Sequence, residues 1–290
     1  MTNGIRMLNP LWLRTFVTAA ELVSFTQAGR RLGLTQSTVS DHVARLEAQL
    51  GRRLFVRDTH SLALTSDGAS LLIHARLILD AHARAELQFT GPTLRGHIRL
   101  GTSDDMALGP LPVALARFKR LYPEVDLDLT VGFTDMLRPL LDAGQLDIIT
   151  GKRREGEPQG QTLYREPLVW FGYEGMVLDD GPLPLAMLAE PSITRAQTLD
   201  ALARAGRNWR ITCNSSGYTG CAAAVRAGLG ITALPEQMRF AGLVPLRGLP
   251  ALPEIEYIAL TARNAGRPVQ ALLKILLESD LSQAGRTAWR

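Results

Sequence analysis

The sequence predicts a multidomain α+β chain: a small N-terminal helical domain closed by a hairpin, one long helix, and a larger C-terminal domain of alternating strands and helices. Three observations carry this prediction. Apolar residues recur at steps of three and four through the first fifty positions, and again, with neither glycine nor proline, from 69 to 90. Gly91-Pro92 and Gly96 then interrupt the chain. Beyond them, runs such as Val125-Asp126-Leu127-Asp128-Leu129-Thr130-Val131 alternate apolar and polar side chains and are interleaved with helical stretches.

Composition narrows the class. With 290 residues, of which 46% are hydrophobic, the chain can bury two sizeable cores. No apolar run approaches the ~18 residues that a membrane helix needs. Arg6 and Arg14 interrupt the only stretch in which a secretory signal could sit, so a cytoplasmic protein is expected. The net charge of +4 is unevenly spread: residues 1–65 hold eight arginines against four acids. Such concentration is what a phosphate-binding surface requires and a merely solubilising one does not. Two cysteines, Cys213 and Cys221, are too few for a disulfide framework.

The N-terminal elements follow from apolar spacing. A helix over about Leu11–Val23 places Trp12, Phe16, Val17 and Ala20 on one face. Phe25, Ala28 and Leu32 form the face of a second helix, which Gly33 ends. Thr35 caps a third helix that buries Val39, Val43, Leu46 and Leu50 and turns Gln36, Ser37, Ser40, Asp41, His42 and Arg45 outward. A polar face of this kind suits a recognition helix in the DNA major groove; the alternative is an ordinary solvated amphipathic pair. The runs Leu54–Val56 and Leu62–Leu64 flank a polar turn and read as a wing, with Arg52, Arg53, Arg57 and His60 in reach of phosphates or the minor groove.

These motifs stand in a particular order: Phe16-Val17-Thr18-Ala19-Ala20, Ser24-Phe25-Thr26-Gln27-Ala28-Gly29, Leu50-Gly51-Arg52-Arg53-Leu54-Phe55-Val56-Arg57 and Leu62-Ala63-Leu64-Thr65-Ser66-Asp67-Gly68. The series resembles the N-terminal region of LysR-type transcriptional regulators, from Leu11 to Leu79. The resemblance implies a winged helix-turn-helix over 7–65, a linker helix over 66–90 and an effector-binding domain over 91–290. That last domain would have two α/β lobes like a type 2 periplasmic binding protein, lobe I at about 96–163 and 263–290 and lobe II at about 164–262. Implied partners are double-stranded DNA at an inverted repeat in promoters, a small-molecule effector, RNA polymerase and other copies of the chain, as a dimer and a homotetramer built from two dimers. Asp41 and Ala44 depart from the common family pattern, which leaves the base preference open.

The long helix carries Leu71, Ala75, Ile78, His82, Ala85 and Phe89 at alternating steps of four and three, a heptad seam that points to dimerisation. At ~1.5 Å per residue it would span roughly 36 Å.

In the C-terminal domain the expected order is a strand at Ile98–Thr102, a helix from Pro110 to Leu121, a half-buried strand at Val125–Val131 and a helix from Asp135 to Gly144. A strand at Leu146–Thr150 and a polar loop from Lys152 to Gly160 come next. Further strands at Leu168–Phe171, Arg210–Thr212 and Ile231–Leu234 follow, with a helix ending at Ala227 and a last helix opened by Pro268. Largely parallel sheets are expected. In such sheets ligands bind beyond the carboxyl ends of strands. Here these ends supply Thr102, Ser103, Asp104, Phe133, Thr134, Gly151, Lys152, Asn214, Ser215, Tyr218 and Leu234. Hydroxyls, Lys152 and helix ends favour an anionic or polar organic effector such as a carboxylate; Asp104, if it points inward, favours a hydroxyl or an amine.

Other chemistries fit less well. Gly228-Leu229-Gly230-Ile231 has the glycines of a dinucleotide loop, but a helix precedes it and a strand follows, the reverse of what that loop needs. All five histidines precede residue 98, which excludes a Ser/His/Asp arrangement or a histidine-bound metal in the α/β domain. No enzymatic activity, metal or cofactor is expected. Two alternatives stand beside an effector-responsive regulator. A cysteine-based redox sensor would place its cysteine pair well upstream of the glycine segment, as the peroxide sensors of the family do, and this chain does not. A solute-binding protein would carry an export signal and no basic helix-turn-helix.

Overall fold

The structure, a computed structural model, describes residues 7–58, 61–90, 94–178 and 180–282. It divides into two units at Thr93 and Leu94.

The first unit contains α1 (Pro10–Leu22), α2 (Phe25–Leu32), α3 (Gln36–Leu50), β1 (Phe55–Asp58), β2 (Ser61–Leu64) and α4 (Ser66–Thr90). Asn9, Ser24 and Thr35 open the first three helices, each side chain accepting from a backbone N–H of the first turn. Leu13, Phe16, Ala28, Val39, Val43 and Leu46 form one core. Phe55 enters it with the rings of Phe16 and Phe25 edge-on at 5.5 and 5.3 Å, which fastens the hairpin to the helices. Arg57 pairs with Leu62 and Asp58 with Ser61, so the wing strands extend further into the polar segment than apolar content alone suggests.

Two assignments to faces are corrected here. Leu50, expected in the core, is exposed, and the last buried position of α3 is Glu47. Leu71 and Ala75, expected in a seam between chains, are buried in the core of their own unit, where α4 packs on α1. The exposed apolar side of α4 instead runs in steps of four through Ile73, Leu77, Ala81, Ala85 and Phe89, with Ile78 beside it.

The second unit begins with β3 (Gly96–Thr102), α5 (Asp104–Leu108), α6 (Leu111–Leu121), β4 (Val125–Val131), α7 (Thr134–Asp142) and β5 (Ile148–Lys152). It continues with β6 (Gln161–Tyr173), β7 (Leu183–Leu188), α8 (Ile193–Arg204), β8 (Trp209–Ser215), α9 (Tyr218–Arg226), β9 (Thr232–Pro235), β10 (Leu243–Pro245), β11 (Glu254–Thr261) and α10 (Arg267–Glu278). The strand order is β10-β6-β11-β5-β3-β4, with β9 also on β6 and a separate β7-β8 pair. The expectation of largely parallel sheets is corrected. β3 is parallel to β4 and β5, and β7 to β8, but β11 runs antiparallel to β5 and β6, as β6 does to β9 and β10. The long strands β6 and β11 cross between the two lobes side by side in opposite directions, and this mixes the sheet.

In each lobe apolar side chains pack on both faces of the strands. In lobe I, Phe118 of α6 and Leu272 and Leu276 of α10 pack with Ile98 and Leu100, while Leu137 and Leu141 of α7 pack with Ile149 in a separate cluster. In lobe II, Val225 of α9 packs with Phe171 and Leu188, and the Trp170, Leu185, Leu202 and Ile231 cluster lies on the α8 side. β4 is an edge strand, so its expected alternation buries Val125 but leaves Leu129 and Val131 exposed.

Candidate DNA-binding surface and interlobe site

The turn between α2 and α3 is built on close backbone contact. Gly29 sits where a Cβ would come within 2.7 Å of the Leu34 carbonyl oxygen, and its own carbonyl accepts from Gly33 and Leu34. Thr35 is a cap: its hydroxyl accepts from Thr38 N at 3.1 Å and is shared with the Ser37 and Thr38 hydroxyls. Gln36 and Ser37 at the helix start are exposed, Ser40 is half-buried, and Asp41 and Arg45 are exposed. Arg45 Nε donates to Asp41 at 2.8 Å and its guanidinium lies 5.7 Å from the Trp12 ring centre, so the acid on this face is charge-compensated.

His42 does not belong to that face. It is 9% exposed and its Nδ1 lies 2.9 Å from the Thr15 hydroxyl of α1. The buried stripe of α3 takes both the third and fourth residue after Val39, so His42 and Val43 enter the core together. Arg52 and Arg53 are exposed, Arg57 stands on β1, and His60 lies outside the described residues. Arg30 and Arg31 add exposed charge in the last turn of α2.

Glu47 fastens the wing. Its carboxylate accepts from Leu54 N at 2.8 Å and Phe55 N at 3.4 Å and pairs with Arg53 at 3.1 Å. Thr65 closes the other side, donating to Arg53 O and accepting from Gly68 N. A Cβ at Gly68 would sit 2.1 Å from Leu54 O, which explains a glycine in the first turn of α4.

Between the lobes, the residues expected at the strand ends separate into three groups. Some are structural: the Thr102 hydroxyl bonds that of Thr150 at 2.8 Å, Thr134 Oγ1 lies against Gly151 and accepts from Lys152 N at 2.9 Å, and Ser215 folds back on Gly217. Leu234, expected at the site as a strand-end residue, is fully buried in the lobe II core, where all four residues of β9 are covered. Asn214 is exposed and accepts from Arg195 at 2.7 Å, and Phe133 packs on the lobe II core.

The third group forms a buried polar cluster. Lys152 Nζ lies 2.5 Å from Asp105 and donates to Tyr218 OH at 3.0 Å, which in turn bonds Thr194 at 2.9 Å. Tyr257 OH donates to the same Asp105 oxygen, and the Tyr164 and Tyr257 rings stack at 4.5 Å. Asp104 accepts from Tyr218 N at 3.1 Å, so a lobe I carboxylate occupies the first turn of α9 in lobe II. Glu166 on β6 is 6% exposed and accepts from Gln237 N at 3.3 Å. Burial works against the charges of both Lys152 and Asp105, but each stabilises the other: the lysine is raised above its ordinary value and the aspartate lowered. Burial, and then the nearby Asp105 charge, push the Glu166 carboxyl up to about 7. Lys152 is thus no free anion receptor, contrary to the expectation from its position; a buried ammonium needs a partner, and Asp105 is there.

Comparison with known proteins places this geometry. Residues 11–69 match the bacterial regulatory helix-turn-helix protein, lysR family, and residues 92–280 match the LysR substrate binding domain. The chain belongs to the LysR family of transcriptional regulators. It is 33% identical to the HTH-type transcriptional regulator DgdR of Burkholderia cepacia over 252 residues, 87% of this chain and 86% of that one. It is also 33% identical to the regulator PecT of Dickeya dadantii over 264 residues, 89% and 84% of the two chains. Among solved structures, an OxyR C206 mutant of Corynebacterium glutamicum matches with a TM-score of 0.54 at 23% identity, covering 99% of this chain and 96% of that one. HinK of Pseudomonas aeruginosa matches with a TM-score of 0.52 at 21% identity, over 97% and 100%. Those two likenesses concern the fold alone.

In this LysR-type regulator, Asp105, Glu166, Thr194 and Tyr257 complete the cluster from outside the effector residues expected at the strand ends. The legible signals were the acid doublet Asp104-Asp105 and Glu166, a lone acid in a largely apolar strand; Thr194 gave none. The cysteines lie in lobe II. Burial, and the adjacent Cys213, push the Cys221 thiol up to about 12, which disfavours the thiolate on which redox sensing depends. Among the described residues no helix is long and apolar enough to cross a membrane, and no group of acids, cysteines and histidines is arranged to hold a metal.

Proposed function

We propose that the chain acts as a cytoplasmic, non-enzymatic regulator in which α3 reads each half of an inverted repeat, while effector binding between the lobes alters promoter binding. Gln36 and Ser37 are the base-reading residues, helped by Ser40 and by Arg45 held in place by Asp41; Arg52, Arg53 and Arg57 contact phosphates. The observation that carries this reading is the exposed polar face at the start of α3, where Gln36 and Ser37 stand at the surface directly after the Thr35 cap. Two copies join through the exposed apolar side of α4, dimers pair into a homotetramer, and the DNA-bound assembly contacts RNA polymerase. The effector enters between lobes already linked through Tyr218, whose side chain and backbone N–H both bond lobe I.

Selection from randomised duplexes with the wild-type chain and Gln36→Ala tests the reading. An inverted repeat is expected from the wild type, with relaxed preference at one symmetric pair of positions in the variant. Absence of enrichment, or identical sites from both chains, overturns it.

A further inference from the structure

The cluster between the lobes is short of positive charge. Asp105 and Glu166 meet at Tyr257 with Lys152 as the ammonium beside them, while Asp104 is held apart on the backbone N–H of Tyr218. Lys152 is committed to Asp105 at 2.5 Å. Arg195 of α8 is occupied by Asn214, Leu188 O and Glu190. Glu166 has one long backbone bond, from Gln237 after β9, and shares the Tyr257 hydroxyl with Asp105. The groups that face it are Asp105 on α5, Lys152 on β5, Tyr257 on β11 and Tyr164 on its own strand.

Ser103 adds an independent observation. Its hydroxyl is 4% exposed and has no aligned hydrogen-bond partner, although it lies toward the Asp105 carboxylate. A buried hydroxyl without a partner is rare in folded chains, and a polar group arriving from outside would satisfy it.

We propose that the effector is an amine: a small organic cation that enters between the lobes, sets its ammonium beside Asp105 and Glu166, and hydrogen-bonds the Ser103 hydroxyl. This rests on the reading of the interlobe region as the effector site, and it reverses the sign of ligand charge expected from Lys152. An anion would lose its hydration on entering and find the Asp105 carboxylate, the Glu166 carboxyl and a lysine already neutralised. An ammonium supplies the missing charge.

Proton linkage gives the proposal a signature. Without a ligand, Glu166 holds its proton up to about pH 7. An ammonium favours the ionised carboxylate, so binding releases that proton to solvent, and affinity rises about tenfold between pH ~6 and pH ~8.

The test is a thermal-shift panel on the full-length chain. It uses three- to six-carbon primary monoamines and diamines at ~10 mM beside the matched alcohols, diols, carboxylates and dicarboxylates. Amines should raise the melting temperature by several degrees and their neutral and anionic counterparts should not. Titrations should show the tenfold pH effect in wild type, its loss in Glu166→Gln, and weaker binding in Ser103→Ala. A panel in which carboxylates act, in which no amine acts, or in which Glu166→Gln keeps the wild-type pH profile overturns the proposal. Duplex binding measured alongside separates the two readings. A chain that binds its selected site and responds to a carboxylate keeps the regulator reading and loses the amine. A chain that binds amines with wild-type pH linkage but unchanged DNA affinity keeps the amine site and loses the coupling.

Discussion

Lys152→Met removes the ammonium from the interlobe cluster while keeping most of the apolar stem. Lys152 and Asp105 are both buried, 2.5 Å apart, and Lys152 also bonds Tyr218 OH at 3.0 Å. In the variant, Asp105 keeps the Tyr257 hydroxyl but loses the charge that holds its carboxyl low against the effect of burial. Removing one partner of a buried ion pair costs ~3–5 kcal/mol. For a unit of this size, at ~2–4 °C per kcal/mol, the melting temperature should fall by ~6–20 °C. The pH dependence has a definite sign. A carboxyl lowered by folding contributes stability above its unfolded value of ~3.9, and that contribution is lost as pH falls through the folded value. Without Lys152, burial dominates and Asp105 takes up a proton at higher pH, so the deficit of the variant should narrow as pH falls from ~7 toward ~4. Lys152→Met combined with Asp105→Leu should recover most of the loss, since two apolar side chains need no partner. Calorimetry of the full chain reads all three quantities. A single-variant loss below ~1 kcal/mol, or a double variant no more stable than the single, refutes the account of this cluster.

Glu47→Ala should destabilise the first unit by ~2–3 kcal/mol, because the Leu54 and Phe55 N–H groups lose their acceptor; chemical denaturation checks this, and a loss under ~0.5 kcal/mol would show that water replaces the carboxylate. Leu77→Glu should dissociate the dimer in sedimentation while leaving the fold intact, whereas Leu71→Ala should cost ~2–5 kcal/mol of stability without changing assembly; the reverse pattern would restore the heptad seam read from sequence. Native titration with Ellman's reagent should modify Cys213 and spare Cys221, and peroxide should leave DNA affinity unchanged; rapid modification of both thiols would favour the redox alternative.

Legibility in the sequence followed the locality of the physics. The end of α2 at Gly33 and the start of α3 after Thr35 could be read to the residue, because the closing glycine and the cap lie within one short segment. The side of a helix that meets a neighbour was harder. His42 and Val43 lie next to each other on the helix, and only the Thr15 hydroxyl opposite shows why the histidine goes inward. Leu71 and Ala75 fit a heptad as well as they fit an intramolecular face, and α1 decides between them. In the second unit, β6 was visible at Leu168–Phe171 but not along its polar first half, and β7, α8 and β11 were missed. Their residues are specified by pairing with distant strands. The strand ends were found from topology, but which of their side chains remain free depends on partners such as Asp105, 47 positions from Lys152 in the chain.

Binding of the full-length chain to its selected duplex at two salt concentrations tests the central claim most directly. If exposed Arg45, Arg52 and Arg53, with Arg57, engage phosphates in both half-sites, the dimer makes roughly 6–10 such contacts, and affinity should fall ~10³–10⁵-fold between ~50 and ~200 mM salt. Affinity that stays flat across that range would contradict the assignment of this basic surface to DNA.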